Sequence, residues 1–238
     1  MSIAGDSSSP PEESGSQFPS PTSTLDFITV CAISAAAFLM LSGTLVLFYH
    51  REYRPIKTKS LPLTLLSSIG GLLWILSTLV VNNHFSRTPT SGLHLCILWT
   101  YWMQSCFGFS LWLNCLTVRF ITLYRIFVLK SANRIHEYTF LPPLLLPSIA
   151  FAIAATIKNK RVVKYETMPG DPSKGHCVFV SRAVWVYGLL LLQLINYFVF
   201  LGFGLRLRNT MAQFNEYRLI RRCGVLSLFL FLFSLVTL

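Results

Sequence analysis

The residues of this 238-residue chain with the most chemistry available to them are six cysteines, at 31, 96, 106, 115, 177 and 223, and five histidines. No two cysteines stand in CxxC spacing, so neither a zinc site nor a disulfide-rich scaffold is indicated. Cys31, Cys106, Cys115 and Cys223 fall within or at one end of uncharged apolar runs, whereas Cys96 opens such a run and Cys177 lies in a connection. If both face an oxidising compartment, Cys96 and Cys177 are the pair able to form a disulfide, provided their Cα atoms come within about 7 Å. The alternative reading is two unrelated free thiols. His50 and His136 lie at the opposite end of the runs from His84 and His94, and His176 lies in a connection, so no two pair across a bundle as haem ligation requires. No nucleophile sits beside a base and no metal-ligand cluster appears. The expectation is therefore no enzyme activity, no cofactor and no metal.

Asp, Glu, Lys and Arg are absent from the apolar runs 27–49, 60–83, 93–118, 138–157, 183–205 and 223–238. An ionisable group at a bilayer midplane costs at least about 2.5 kcal/mol and marks ion or proton pathways. Pump, ion-transporter and cytochrome readings all lose weight for that reason. The polar residues inside the runs are neutral: Gln104, Ser105 and Asn114 in the third, Gln193 and Asn196 in the fifth. Two roles fit them, lining a ligand cavity or joining helices through hydrogen bonds worth about 0.6 kcal/mol each. Helix joining is the simpler. Trp99, Trp102 and Trp185 fall near one end of their runs, where aromatic belts sit, and read as interface anchors. Ser67 and Gly71 form a small-xxx-small pair, a weak helix-packing signal.

The elements that must position these residues follow from composition. Hydrophobic residues make up 53% of the chain and charged residues 12%, about half the charged share of a soluble domain, which implies a membrane protein. Continuous rather than alternating hydrophobicity excludes a barrel, and lipid leaves only helices for such segments. The first five runs are long enough to span. The sixth, sixteen residues after Arg221 and Arg222, would rise about 24 Å and reads as a span cut before its far end. Ahead of them residues 1–25 hold eight Ser, four Pro, three acids and no Lys or Arg, which predicts a disordered tail outside a transmembrane helical domain over 26–238.

Thirteen of the twenty Lys and Arg fall in 50–59, 119–137 and 206–222, against seven in the alternate connections, six of those between Lys158 and Arg182. This bias places the segment before the first span outside the cell, in a multi-pass protein of the plasma membrane. Arg119, Arg125 and Lys130 then recur on a helix leaving the membrane. With Arg206, Arg208, Arg218, Arg221 and Arg222 they form a basic cytosolic face. An acidic partner surface or anionic lipid headgroups would account for that face equally well. The net charge of +11 is spread over short clusters at the ends of apolar runs, so nucleic-acid binding is not expected.

A third span opened by Cys, a Cys-bearing second outer connection and a basic third inner connection resemble the seven-helix G-protein-coupled receptors, although the acidic-Arg-Tyr signature of the rhodopsin-like class is missing. The words "LHLCILWTYW", "FGFSLWLNC", "LYRIFVLK", "FLPPLLLPSIA", "GHC" and "FNEYRLI", in that order, are similar to the plant-type seven-transmembrane regulators of G-protein signalling over roughly 90–225. The resemblance supports the Cys96–Cys177 pairing. It places Leu123, Tyr124, Phe127 and Lys130 at the cytosolic end of the third helix, with Phe214 and Glu216 before the sixth. Members complete seven spans and carry a soluble domain that accelerates GTP hydrolysis by a Gα subunit. This chain contains neither, and is expected to be the front part of such a design.

The sequence thus predicts an all-α, receptor-like membrane helix bundle with five complete spans and a partial sixth. It would sense an unknown ligand and couple to a heterotrimeric G-protein α subunit. The alternatives are a transporter bundle for a small neutral solute, favoured mildly by the Pro142, Pro143 and Pro147 cluster, and a truncated fragment that does not signal.

Overall fold

The computed structural model describes residues 24–50, 61–82, 95–129, 137–158, 163–168, 171–179 and 182–207. Its helices are α1 (Thr24–Tyr49), α2 (Leu61–Val81), α3, α4 (Leu141–Ile157) and α5 (Tyr187–Arg206). In α3 a π-helical stretch, Leu98–Ser110, runs directly into an α-helical one, Leu111–Phe127. A 3₁₀ turn, Glu137–Phe140, leads into α4, and a π-helical turn, Arg182–Val186, leads into α5.

Four of these helices, α1, α2, α3 and α5, are long and apolar enough to cross a membrane. The chain is therefore a helical protein suited to a multi-pass place in a lipid bilayer. The run expected to span over 138–157 forms α4, whose 17 residues rise about 25 Å, at the short end of what crosses a bilayer. Pro142 and Pro143 occupy its first turn, where amides have no intrahelical partner anyway, so only Pro147 interrupts the ladder. The third run, apolar to residue 118, continues as helix to Phe127. The sixth run, 223–238, and the tail to residue 23 lie outside the described residues.

Side-chain pairs set the helix directions. Along α2 and α3, Thr78 meets Gln104 while Gly70 lies against Gly108 and Trp112, so the two run antiparallel. Thr156, Ser148 and Leu144 of α4 meet Trp102, Ser110 and Asn114 of α3, also antiparallel. Gln193, Phe200 and Phe203 of α5 meet Ser105, Phe120 and Tyr124, which makes α5 parallel to α3. Met40 of α1 faces Gly71 of α2. α3 is central: Tyr101, Cys106, Phe109, Leu113, Cys115 and Val118 are each at most 1% exposed. By contrast α1 exposes Phe38, Leu39, Leu45 and Val46. Lipid tails are as apolar as these side chains, so such exposure costs nothing in a bilayer.

An all-α fold was expected; the described residues are mostly helical, with one pair of strands added. Strands β1 (Val163–Met168) and β2 (Asp171–Phe179) form an antiparallel hairpin between α4 and α5. The register pairs Val163 with Phe179 and Tyr165 with Cys177, which puts all four on one face. That face packs on Cys96, Ile97, Tyr101, Cys106, Ala152 and Ala155, with Trp102, Phe151 and Trp185 at the margin. Lys164 and Glu166 point the other way, 3.7 Å apart and exposed. Pairing the strands satisfies backbone groups that a loop laid over apolar helix ends would leave without partners.

Candidate functional site

The bundle has a hairpin end and a basic end with a polar, hydrogen-bonded shaft between them. At the hairpin end Cys96 and Cys177 form a disulfide with Cα atoms 5.8 Å apart, closing a separation of 81 residues. It fastens β2 to the start of α3. Around it Trp102 donates its indole N–H to Thr156 Oγ1 at 2.9 Å and stacks on Phe107 at 5.8 Å, and Trp185 meets Phe151 edge-on at 5.6 Å. Trp102 and Trp185 are thus packed under the hairpin as well as lying at a helix end, where sequence placed them only as interface anchors.

Along the shaft α3 reaches each neighbour in turn. Gln104 donates to Thr78 of α2 at 3.2 Å, Gln193 of α5 donates to Ser105 at 3.3 Å, and Asn114 donates to the carbonyl of Leu144 in α4 at 3.1 Å. Leu144 lies in the turn before Pro147, whose missing amide takes the ladder bond from the neighbouring Pro143 carbonyl. A fourth bond runs from the Ser148 hydroxyl to that of Ser110 at 2.9 Å. Gln104, Asn114 and Gln193 therefore join helices. Asn196, 7% exposed, has no hydrogen-bond partner for Nδ2 among the described residues, and neither Thr100 Oγ1 nor Tyr101 OH has one. Buried polar atoms are so generally paired that these three mark groups available to a ligand or water.

Close backbone contact fixes α2 against α3. A Cβ on Gly70 would stand 2.9 Å from the Trp112 backbone nitrogen, and one on Gly108 would stand 2.8 Å from the Trp74 Cα. Trp74, Phe109 and Trp112 pack around this contact, with ring centroids 5.3 and 5.6 Å from Trp74. The pair singled out from sequence, Ser67 and Gly71, is also buried, but Gly71 faces the Met40 side chain of α1. Gly70, Gly108, Ser110 and Ser148 were missed. The Gly70-Gly71 doublet and the Gly in "FGFS" were the only signals, and neither names its partner helix.

At the basic end Arg119 and Arg125 are half-buried and Arg206 is exposed. Six residues of α-helix set Arg119 and Arg125 about 120° apart, so they flank α3 rather than line one face. The Arg125 guanidinium lies 5.6 Å above the Phe140 ring, a cation–π contact tying α3 to the entry of α4. Tyr124 meets Phe203 of α5 edge-on at 6.2 Å, and Leu123 packs in the same cluster. Lys130, Arg208, Glu216, Arg218, Arg221, Arg222 and Phe214 lie outside the described residues. Among the described residues there is no group of His, Cys, Asp or Glu suited to hold a metal ion. No protein-family model matches the chain, and no curated protein matches it.

Proposed function

We propose that this chain is a receptor-like integral membrane protein of the G-protein signalling system, in which α3 carries a conformational change from the hairpin end to the basic end. The observation that carries this reading is the placement of α3. One end is bonded covalently to a rigid hairpin, the middle hydrogen-bonds to α2, α4 and α5, and the other end carries Arg119 and Arg125. A ligand under the hairpin would meet Tyr101 and Thr100, whose hydroxyls lack partners among the described residues. It shifts the bundle only by binding one helix packing better than another. The α subunit of a heterotrimeric G protein, taken from the family resemblance, is the partner proposed for the basic end. In this reading the hairpin end faces outward, the membrane is the plasma membrane, and the chain catalyses nothing itself.

The test is co-purification of the full chain with a Gα subunit in neutral-lipid nanodiscs. Retention that disappears on charge reversal of Arg119 and Arg206 supports the proposal. Failure to retain any Gα, or retention indifferent to those reversals, refutes it. Uptake of a neutral solute by vesicles carrying the chain would favour the transporter reading instead.

A further inference from the structure

We infer that Arg119 holds the phosphate of an anionic phospholipid in the seam between α2 and α5, at the depth where lipid headgroups begin. That depth follows from the pairs that align the helices. Gly70 lies against Gly108 and Trp112, and Thr78 meets Gln104, so α2 followed back to its described start sets Leu61 level with about residues 119–121 of α3. The pairs Leu144–Asn114 and Ser148–Ser110 likewise set Leu141, where α4 begins, level with about residue 117. The 21 residues of α2 rise about 31 Å, the thickness of the hydrocarbon core. Arg119 therefore stands at the boundary of that core. Past it α3 continues to Phe127, about 12 Å farther, alongside α5, whose Phe203 meets Tyr124 and which ends at Arg206.

A cation at this depth needs an anion, and a bilayer supplies one in its phosphates. Arg119 is half-buried and makes no ion pair among the described residues. At helical spacing it shares a stripe with Trp112, Leu116 and Leu123. Trp112 stacks on Trp74 of α2, whereas Leu116 and Leu123 pack in the cluster of Tyr197 and Phe200 of α5, which puts Arg119 in the seam between those helices. Its forked guanidinium can take two phosphate oxygens at once. What lies farther out selects the lipid. Beyond the phosphate a headgroup reaches toward Arg125 and Arg206, where a choline ammonium is repelled and a carboxylate or second phosphate is attracted. Ile126 and Leu205, next to those two cations, are exposed. A lipid brings acyl chains to such side chains together with its anion, which free phosphate does not. A folded protein surface would have to reach about 12 Å past the end of α3 to touch Arg119. The inference does not rest on coupling to a G protein.

Native mass spectrometry of the full chain, released from micelles holding equimolar phosphatidylserine and phosphatidylcholine, tests it. The expected result is retained lipid with phosphatidylserine preferred. Arg119→Gln lowers that preference about fivefold, the share of one basic residue near a membrane surface. Arg119→Lys, which keeps the charge but not the fork, lowers it less. Lys164→Gln, at an exposed cation on β1 at the other end, leaves it unchanged. Where Arg119→Gln melts below the parent chain in phosphatidylcholine alone, the comparison is made on Arg119→Lys. Equal retention of the two lipids overturns the inference, as does a preference that both Arg119 variants leave intact. Displacement of the lipid by inorganic phosphate assigns the site to a free anion. Retention of a Gα subunit through Arg119 with no preference for phosphatidylserine assigns it to a protein, and either result overturns the lipid assignment.

Discussion

Gly108→Ala tests the architecture most directly. The added Cβ would lie 2.5 Å from the Met103 carbonyl oxygen, in the π-helical stretch of α3 itself, and 2.8 and 2.9 Å from Trp74 Cα and N, where ordinary carbon contacts begin near 3.5 Å. All three atoms are backbone, so no side-chain rotation relieves the clash; the π-helical turn must shift and α2 must retreat by roughly 0.7 Å. That retreat stretches the Gln104–Thr78 bond, already 3.2 Å, past hydrogen-bonding distance. Overpacking costs about 1–3 kcal/mol and the lost bond about 0.6 kcal/mol, a total near 2–3 kcal/mol. On the scaling for chains of this size, Tm in detergent micelles falls by about 4–10 °C. Gly202→Ala on α5 and Gly43→Ala on α1 are the controls, because a Cβ at either position meets nothing within 4 Å. Both are expected to be neutral or slightly stabilising, since Ala favours helix over Gly. If Gly108→Ala melts within about 0.5 kcal/mol of these controls, the close α2–α3 contact is not what holds the bundle, and the argument fails.

Two further expectations concern the hairpin and the shaft. In Cys96→Ser the helices stay inserted while backbone amides over 163–179 exchange with solvent much faster; the chain-entropy value of about 4.5 kcal/mol for an 81-residue loop is an upper bound, because α3 and α4 remain in lipid when the bundle loosens. Unchanged exchange would show that packing alone holds the strands. A double-mutant cycle on Ser110→Ala and Ser148→Ala should give a coupling near 0.6 kcal/mol and no more than about 1.7 kcal/mol in steric-trap unfolding. A coupling of zero would mean that the two hydroxyls do not bond.

The tertiary structure was unevenly legible. The helical runs were readable because lipid demands that every backbone polar group be satisfied locally, and unbroken apolar sequence has no other way to do so. The Cys96–Cys177 pair was readable for a related reason: the other cysteines lay in or beside apolar runs. The hairpin was not, although Val163, Tyr165 and Thr167 alternate with charged residues and Pro169-Gly170 follows. Its apolar face is short and acquires meaning only once Tyr101 and Ala152 are beneath it.

Sequence by itself determined the environment, the number of apolar runs, the absence of charge within them and the clustering of Lys and Arg at their ends, because each depends on local composition against a solvent of known thickness. Only the tertiary structure decided that α3 is the central helix, that Gly70 and Gly108 rather than Ser67 admit the closest approach, and that Arg125 is stacked on Phe140. In lipid every apolar helix face is equally content, so hydrophobicity does not name the buried one. That choice rests on shape and on which polar atoms find each other across helices, and both are properties of pairs of distant residues rather than of any stretch of chain.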